Sequence, residues 1–348
     1  MLEQNEKRTF YVISRLCYST GIGAIMGGYS SHILYARDNG YIPVVDMKHL
    51  NNQYYKDGRI GKDNTWEYFF DQPDGYTLDD IDESNDEIII SRNSLHSPDK
   101  SLGIFVTDLP VKGGQFKNDR LIELKKRHQS VYLFNKQTRE YMENEYNRVI
   151  GDKKGILGVL CRGSDYYIKK PSGEPRQPNP VEVISKVQEF MKKYPEITKI
   201  YIATEDKLIY QMFKEEFGDK LLDNNQYRYE YTGKDANKFL SNIKVDRPNH
   251  SYQLGLEYLS SLYILSKCDY FIGGRCAGTR DAFVMQDCWK DAYIWNLGVY
   301  DETSFWQRNF EIYYSYNKIP PRLIVRFFNY ELKTKKIGIY KWYCDTFL

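Results

Sequence analysis

The stretch KIYIATEDKLIYQMFKEEFG, residues 199–218, decides how the rest of the chain reads. Its first half is a short apolar run, the pattern of a strand covered on both faces. A polar corner follows at Thr204, Glu205 and Asp206. From Lys207 the pattern turns amphipathic and helical, and Gly218 closes it.

Working outward, the same grammar recurs. KGILGVLCR (154–162) is a strand. Asn179, Pro180 and Glu182 are the N-cap, N1 and N3 residues of a helix running to about Tyr194. SYQLGLEYLSSLYILSKC (251–268) is helical, DYFIGG (269–274) is a strand, and AGTRDAFVMQDC (277–288) is a helix. Near the N-terminus, TFYVISR (9–15) leads through a glycine-bearing turn at Gly21 and Gly23 into a helix carrying Ile25, Met26, Ile33, Leu34 and Ala36. That helix stops near Gly40, and a strand from Ile42 to Val45 ends at Asp46, completing a β-α-β unit with a right-handed crossover. Alternating short strands and amphipathic helices imply an α/β fold with parallel sheets.

Between these regions lies a less regular middle, roughly 50–150. It holds a solvated acidic loop, DDIDESNDE (79–87), a strand IIIS (88–91) and a charged helix, NDRLIELKKRHQSVYLF (118–134). The expected division is an N-terminal Rossmann-like domain over 1–150, a C-terminal one over 151–300, and an aromatic-rich tail over 301–348. The tail reads equally as a closing strand pair or as a segment packed back across the domains.

Composition narrows the function. The 348 residues are 41% hydrophobic and 28% charged, the profile of a globular protein. Basic and acidic residues nearly cancel, 49 against 47, for a net charge of +2. Such a balance argues against a chain built to neutralise a nucleic-acid backbone, and no basic stripe with interleaved aromatics stands out. The six cysteines, at 17, 161, 268, 276, 288 and 344, form no CxxC pair and read as free thiols. The five histidines have no HExxH spacing, so no metal site is expected. The charged N-terminus does not resemble a signal peptide, and no apolar run is long enough to span a bilayer. The expected address is the cytoplasm, with peripheral contact at the inner face of the membrane left open. The 32 tyrosines suit sugar ligands or reflect compositional bias.

In open parallel sheets, ligands bind beyond the carboxyl ends of the strands, where helix N-termini also point. The residues in that position are Gly21 and Gly23, Asp46, Arg162 with Ser164 and Asp165, Thr204 to Asp206, and Gly273 to Arg280. The glycines allow either close approach to a ligand or a tight turn with none. Arg162, beside Gly163, is placed to clasp a phosphate through paired hydrogen bonds, or to pair with Asp165 for structure. One acid of the Thr204–Glu205–Asp206 corner is explained as a helix cap, which leaves the other for a base edge or sugar hydroxyl. The turn bearing Arg275, Gly278 and Thr279 exposes backbone N–H groups, a nest for phosphate.

Taken in order, CRGSD, the proline-capped helix, YIATED and LSKCDYFIGGRCAGTRDA resemble the C-terminal half of the fucosyltransferase superfamily, which includes the α1,6-, α1,2- and protein O-fucosyltransferases. Those families carry a strand ending in H-x-R-R-x-D, a later Y-[LI]-A-T-[DE]-D, and a further strand followed by a serine-rich turn. GIGAIMGGYSSHILYARDNGYIPVVDM is similar to their opening glycine turn and helix, so the resemblance covers roughly 11–46 and 155–285. It implies a GT-B fold, two Rossmann-like domains with parallel sheets facing a central cleft, with the acceptor toward the first and the nucleotide sugar in the second. It further implies an inverting glycosyltransferase that takes GDP-fucose, needs no metal, and modifies a glycan or polysaccharide acceptor, lipid-linked or free. By position, Arg162 grips the donor diphosphate, Asp206 holds the nucleotide, residues 275–279 contact phosphate, and Gly21 and Gly23 face the cleft. The family's histidine is Leu160 here, its second arginine is Gly163, and its serine-rich turn is Arg275, Cys276 and Ala277. These departures leave open a different nucleotide sugar, or a non-catalytic protein that binds a nucleotide or sugar phosphate. Asp165, Asp46 and Glu174 are the carboxylates placed to act as base.

Overall fold

The computed structural model describes residues 7–15, 20–49, 52–91, 95–109, 118–163, 166, 169–171, 173–230, 243, 245–287, 289–300 and 332–333. Two parallel sheets organise them. In the first, β1 (Thr9–Ser14) lies between β2 (Ile42–Asp46) and β3 (Glu87–Ile90), all parallel. A two-residue strand, β9 (Leu332–Lys333), adds antiparallel to β3. This bridge brings part of the tail back to the first sheet; the rest of 301–348 lies outside the described residues.

The second sheet has the order β6-β5-β4-β7-β8, parallel throughout. Its strands are β4 (Ile156–Leu160), β5 (Lys199–Ala203), β6 (Leu221–Leu222), β7 (Tyr270–Gly274) and β8 (Asp291–Trp295). The helices are α1 (Ile22–Asp38), α2 (Asp119–Gln129), α3 (Lys136–Val149), α4 (Pro180–Lys193), α5 (Lys207–Phe217), α6 (His250–Ser266) and α7 (Ala277–Met285). Two Rossmann-like units with parallel sheets opening on a shared cleft make this the α/β, GT-B arrangement.

Local chemistry explains most boundaries. Asn179 accepts from the N–H of Val181 while Glu182 reaches back to the N–H of Asn179, a capping box that starts α4 at Pro180. Asp206 starts α5 by accepting from the N–H of Ile209 at 3.1 Å, and Gly218, at φ 51°, ends it. Gly40, at φ 71°, turns the chain from α1 into β2. The acidic loop is spent locally: Asp82 accepts from Ser84 and Asn85, and Asp86 pairs with Arg8.

The middle is more ordered than its sequence suggests. The expected helix over 118–134 ends at Gln129, because Ser130 turns the chain and buries Val131 and Tyr132. A second helix, α3, then begins on the Asn135 cap and lays Tyr146 edge-on to Tyr263 of α6, ring centres 6.1 Å apart. Its sparse apolar positions, Met142 and Val149 among charges, hide it from periodicity. β8 was also not expected. It is anchored by Asp291, which accepts from Tyr194 and pairs with Lys193 at the end of α4.

The buried core is continuous across both units. Tyr11, Ile25 and Tyr29 from the first share a cluster with Leu259, Leu265 and Phe271 from the second. A separate cluster, including Val159, Val187, Ile202 and Phe213, fills the far face of the second sheet. Cys161, Cys268 and Cys276 are buried free thiols, and burial pushes the Cys161 thiol well above its ordinary pKa. Among the described residues, no helix is long and apolar enough to cross a membrane.

Candidate active site

An open parallel sheet offers a crevice where its strand order reverses. The first sheet reverses between β1 and β3, the second between β4 and β7. Residues leaving both points line one cleft of about 530 Å3.

At the second switch point, β4 delivers Arg162 and β7 delivers Arg275. The Arg162 guanidinium stacks on Tyr166, 4.2 Å from the ring centre. Arg275 extends toward the first unit, where Nη2 donates to the Leu109 carbonyl at 2.9 Å. Its Nε is buried without a hydrogen-bond partner. Burial lowers the Arg275 pKa, partly offset by Asp108. Gln177 fixes this turn by donating to the carbonyls of Pro175 and Arg275, at 3.0 and 2.8 Å.

At the first switch point, β1 delivers Arg15 and the segment after β3 delivers His96. Arg15 Nη1 and His96 Nδ1 are buried, and among the described residues neither has a hydrogen-bond partner. Burial, with help from Arg280 and Arg15, lowers the imidazole pKa to about 4, so His96 is neutral at pH 7.

A third arginine of the second unit, Arg280 on α7, reaches the cleft from between the two units. Its Nε donates to Asp281 at 2.8 Å and its Nη2 to the Gly23 carbonyl of α1 at 2.7 Å. Burial alone would lower the pKa of Arg280, but Asp281 overrides it and holds the guanidinium above its ordinary value. Tyr132 donates to the same carboxylate. Among the described residues, the carboxylates that line the cleft are Glu174 and Glu205, both from the second unit.

The residues singled out from sequence separate into groups. Gly21, Arg162, Arg275 and the base candidate Glu174 all line the cleft. Gly23 faces helix packing instead: a Cβ there would sit 2.7 Å from Asp281 Oδ2. Gly278 is equally tight, 2.9 Å from the Tyr258 hydroxyl. Thr279 is fully buried and donates to the Gly274 carbonyl at 2.6 Å. Asp206 is buried under its capping bond. Asp46 is 1% exposed and engaged with the backbone N–H groups of Lys48 and His49 and with His49 Nδ1 at 2.9 Å. Ser164 and Asp165 lie outside the described residues.

Sequence reasoning passed over Arg15 and His96. Arg15 was detectable, since it leaves β1 as Arg162 leaves β4. His96 sits in an irregular segment and carried no signal. A second hollow, of about 290 Å3, is mostly apolar and lies away from the strand ends, between Tyr132, Met142, Tyr263 and Met285. Among the described residues, no three His, Cys, Asp or Glu side chains are grouped to hold a metal ion.

No protein-family model matches the chain, and no curated protein matches it by sequence. Solved structures similar to it include the fucosyltransferase NodZ from Bradyrhizobium, at 14% identity over 80% of this chain and 94% of that one, with a TM-score of 0.49. An Arabidopsis thaliana FUT1 mutant in complex with GDP is similar at 11% identity, over 83% and 70% of the two chains, with a TM-score of 0.42. POFUT1 in complex with GDP-fucose is similar at 9% identity, over 83% and 74%, with a TM-score of 0.36.

Proposed function

We propose that the chain is an inverting glycosyltransferase that takes a sugar from a nucleoside diphosphate, with GDP-fucose as donor, and adds it to a glycan or polysaccharide acceptor. The observation that carries this reading is the pair Arg162 and Arg275 at the β4/β7 switch point, the second with a buried N–H unspent. Two guanidiniums held in a crevice suit a diphosphate, whose charge grows as it leaves. They supply that stabilisation without a metal ion. The order of the motifs, CRGSD, then YIATED, then the turn at 275–279, supports GDP and fucose as the base and sugar, while Leu160 and Gly163 stand where the family has a histidine and a second arginine.

In the reaction, the acceptor oxygen attacks the anomeric carbon while the carbon–oxygen bond to the diphosphate breaks. The diphosphate leaves with the bonding pair, and a carboxylate takes the acceptor proton. Glu174 lines the cleft on the loop after β4 and is the described residue we assign as base. Asp165 is the second choice. Asp46, buried and bonded to His49, is not among the residues that line the cleft and takes no role in this step. The division at about 150 and 300 follows function in this scheme: acceptor on the first unit, donor on the second. Asp206, Gly278 and Thr279 then shape the donor crevice from behind, while Gly21 lies on the facing wall and Gly23 packs against Asp281 and Tyr258. A cytoplasmic address suits an enzyme drawing on cytoplasmic nucleotide sugars.

The test is calorimetric binding of GDP, UDP, CDP and dTDP, each with and without magnesium, to wild type and Arg162→Ala. GDP should bind selectively and without magnesium, and the variant should lose roughly 100-fold in affinity, the scale of one charge-assisted contact in a crevice. Preference for another nucleotide reassigns the donor. Binding of none would favour a repurposed site, the reading to which Leu160 and Gly163 point in place of the family's histidine and arginine.

A further inference from the structure

The donor reading uses the cations of the second switch point and leaves those of the first unexplained. Arg15 stands at the end of β1, where the order of the first sheet reverses, beside the His96 segment. Among the described residues, the wall contributed by residues 15–107 includes Arg15 and His96 but no carboxylate, and the two acids that line the cleft, Glu174 and Glu205, come from the other side. Arg280 is neutralised by Asp281 at 2.8 Å, whereas among the described residues Arg15 has no ion pair and a buried Nη1 with no acceptor. A half-buried guanidinium held without a counter-charge costs stability unless an anion offsets it. His96 adds a neutral ring whose Nδ1, also without a partner, can donate to the same anion.

We infer that the acceptor is anionic, and that Arg15 and His96 bind a phosphate or carboxylate carried by it at the first switch point while the donor diphosphate occupies the second. This rests on the donor reading above. It also assigns Arg15 a specificity role: the anion draws the acceptor to the wall opposite the diphosphate arginines, which keeps two negative groups apart in one cleft.

The experiment is calorimetry on protein saturated with GDP, titrated with glucose 6-phosphate, glucuronate or glucose, using wild type, Arg15→Gln and Arg15→Lys. At least one anionic probe should bind about tenfold or more tighter than glucose, and which one does so separates phosphate from carboxylate. Arg15→Gln should lose about tenfold in affinity for that probe while GDP affinity stays within about threefold, and Arg15→Lys should retain part of it. A tenfold loss of GDP affinity in Arg15→Gln would place Arg15 in the donor site and overturn the inference. Equal binding of glucose and both anions to wild type would overturn it as well. If wild type binds no GDP, the donor reading falls on its own, and Arg15-dependent, Arg162-independent binding of an anionic probe would still support the anion site.

Discussion

The two switch points are built from the same strand-end geometry and equipped differently. Each strand beside a reversal releases a chain into the cleft, and in both sheets an arginine arrives there, Arg15 after β1 and Arg162 after β4. Around Arg162 the second unit adds an aromatic stack, a second arginine and carboxylates. Around Arg15 the described residues of the first unit add a neutral histidine and uncharged side chains, among them Gln53, Tyr54 and Leu95. Between them sits Arg280, which belongs to the second unit and is anchored on the first. On the proposed reading, that difference in charge is what would seat donor and acceptor apart.

The joint between the two crevices gives the largest expected effect. Asp281→Ala leaves the Arg280 guanidinium buried without its partner and should cost about 3–5 kcal/mol, read by denaturant unfolding. A cost near zero would mean that the two units are not coupled through this pair. Acid should weaken the first unit next. His128, held by Ser30 Oγ and the Leu102 carbonyl at 2.7 and 2.8 Å, packs behind α1 and has its pKa lowered to about 4, mainly by burial. Because the folded pKa lies below the unfolded value, the contribution is complete above about pH 6.5 and is lost as pH falls from there toward 4, a swing of about 3 kcal/mol. His96 titrates in the same direction. Urea melts from pH 8 to 4 should show this slope, and His128→Gln should flatten it.

A smaller effect tests the seat of Arg280. A Cβ on Gly27 would fall 2.0 Å from Arg280 Nη2, so Gly27→Ala must shift the guanidinium and should cost about 1–3 kcal/mol. If the melt is unchanged, the arginine can lie elsewhere. The smallest concerns the second crevice: Asp206→Ala removes the cap of α5 and should cost about 1 kcal/mol. A fall in GDP affinity beyond about threefold in that variant would give the carboxylate a role in holding the nucleotide as well.

These particulars also show what could be read in advance. The alternation that makes β4, α4, β5 and α5 legible is local, set by apolar runs, caps and Gly218, and the ends of those strands pointed directly to Arg162. The run STGIGAIMGG was harder. Its glycines read equally as a ligand-facing turn or a tight turn with no ligand; Gly21 is an extended N-cap, φ −62° and ψ 149°, that lines the cleft, while Gly23 and Gly27 lie within α1, where they admit Tyr258, Asp281 and Arg280. Nothing local says that a glycine serves a residue more than 250 positions away. Charge pairing has the same limit. The Asp46–His49 contact is three residues long and still invisible, because it depends on how the chain leaves β2. His96 is a site residue only because β3 happens to end beside β1.

The seat of Arg280 has a consequence for dissection of the chain. An N-terminal piece alone would carry an empty notch along α1, and a C-terminal piece alone would carry an arginine–aspartate pair stripped of the Gly23 carbonyl and the Tyr132 hydroxyl that complete it. Each half alone would lack part of this joint. Fragments cut between the two sheets should regain order only when mixed, each serving as the template for the other.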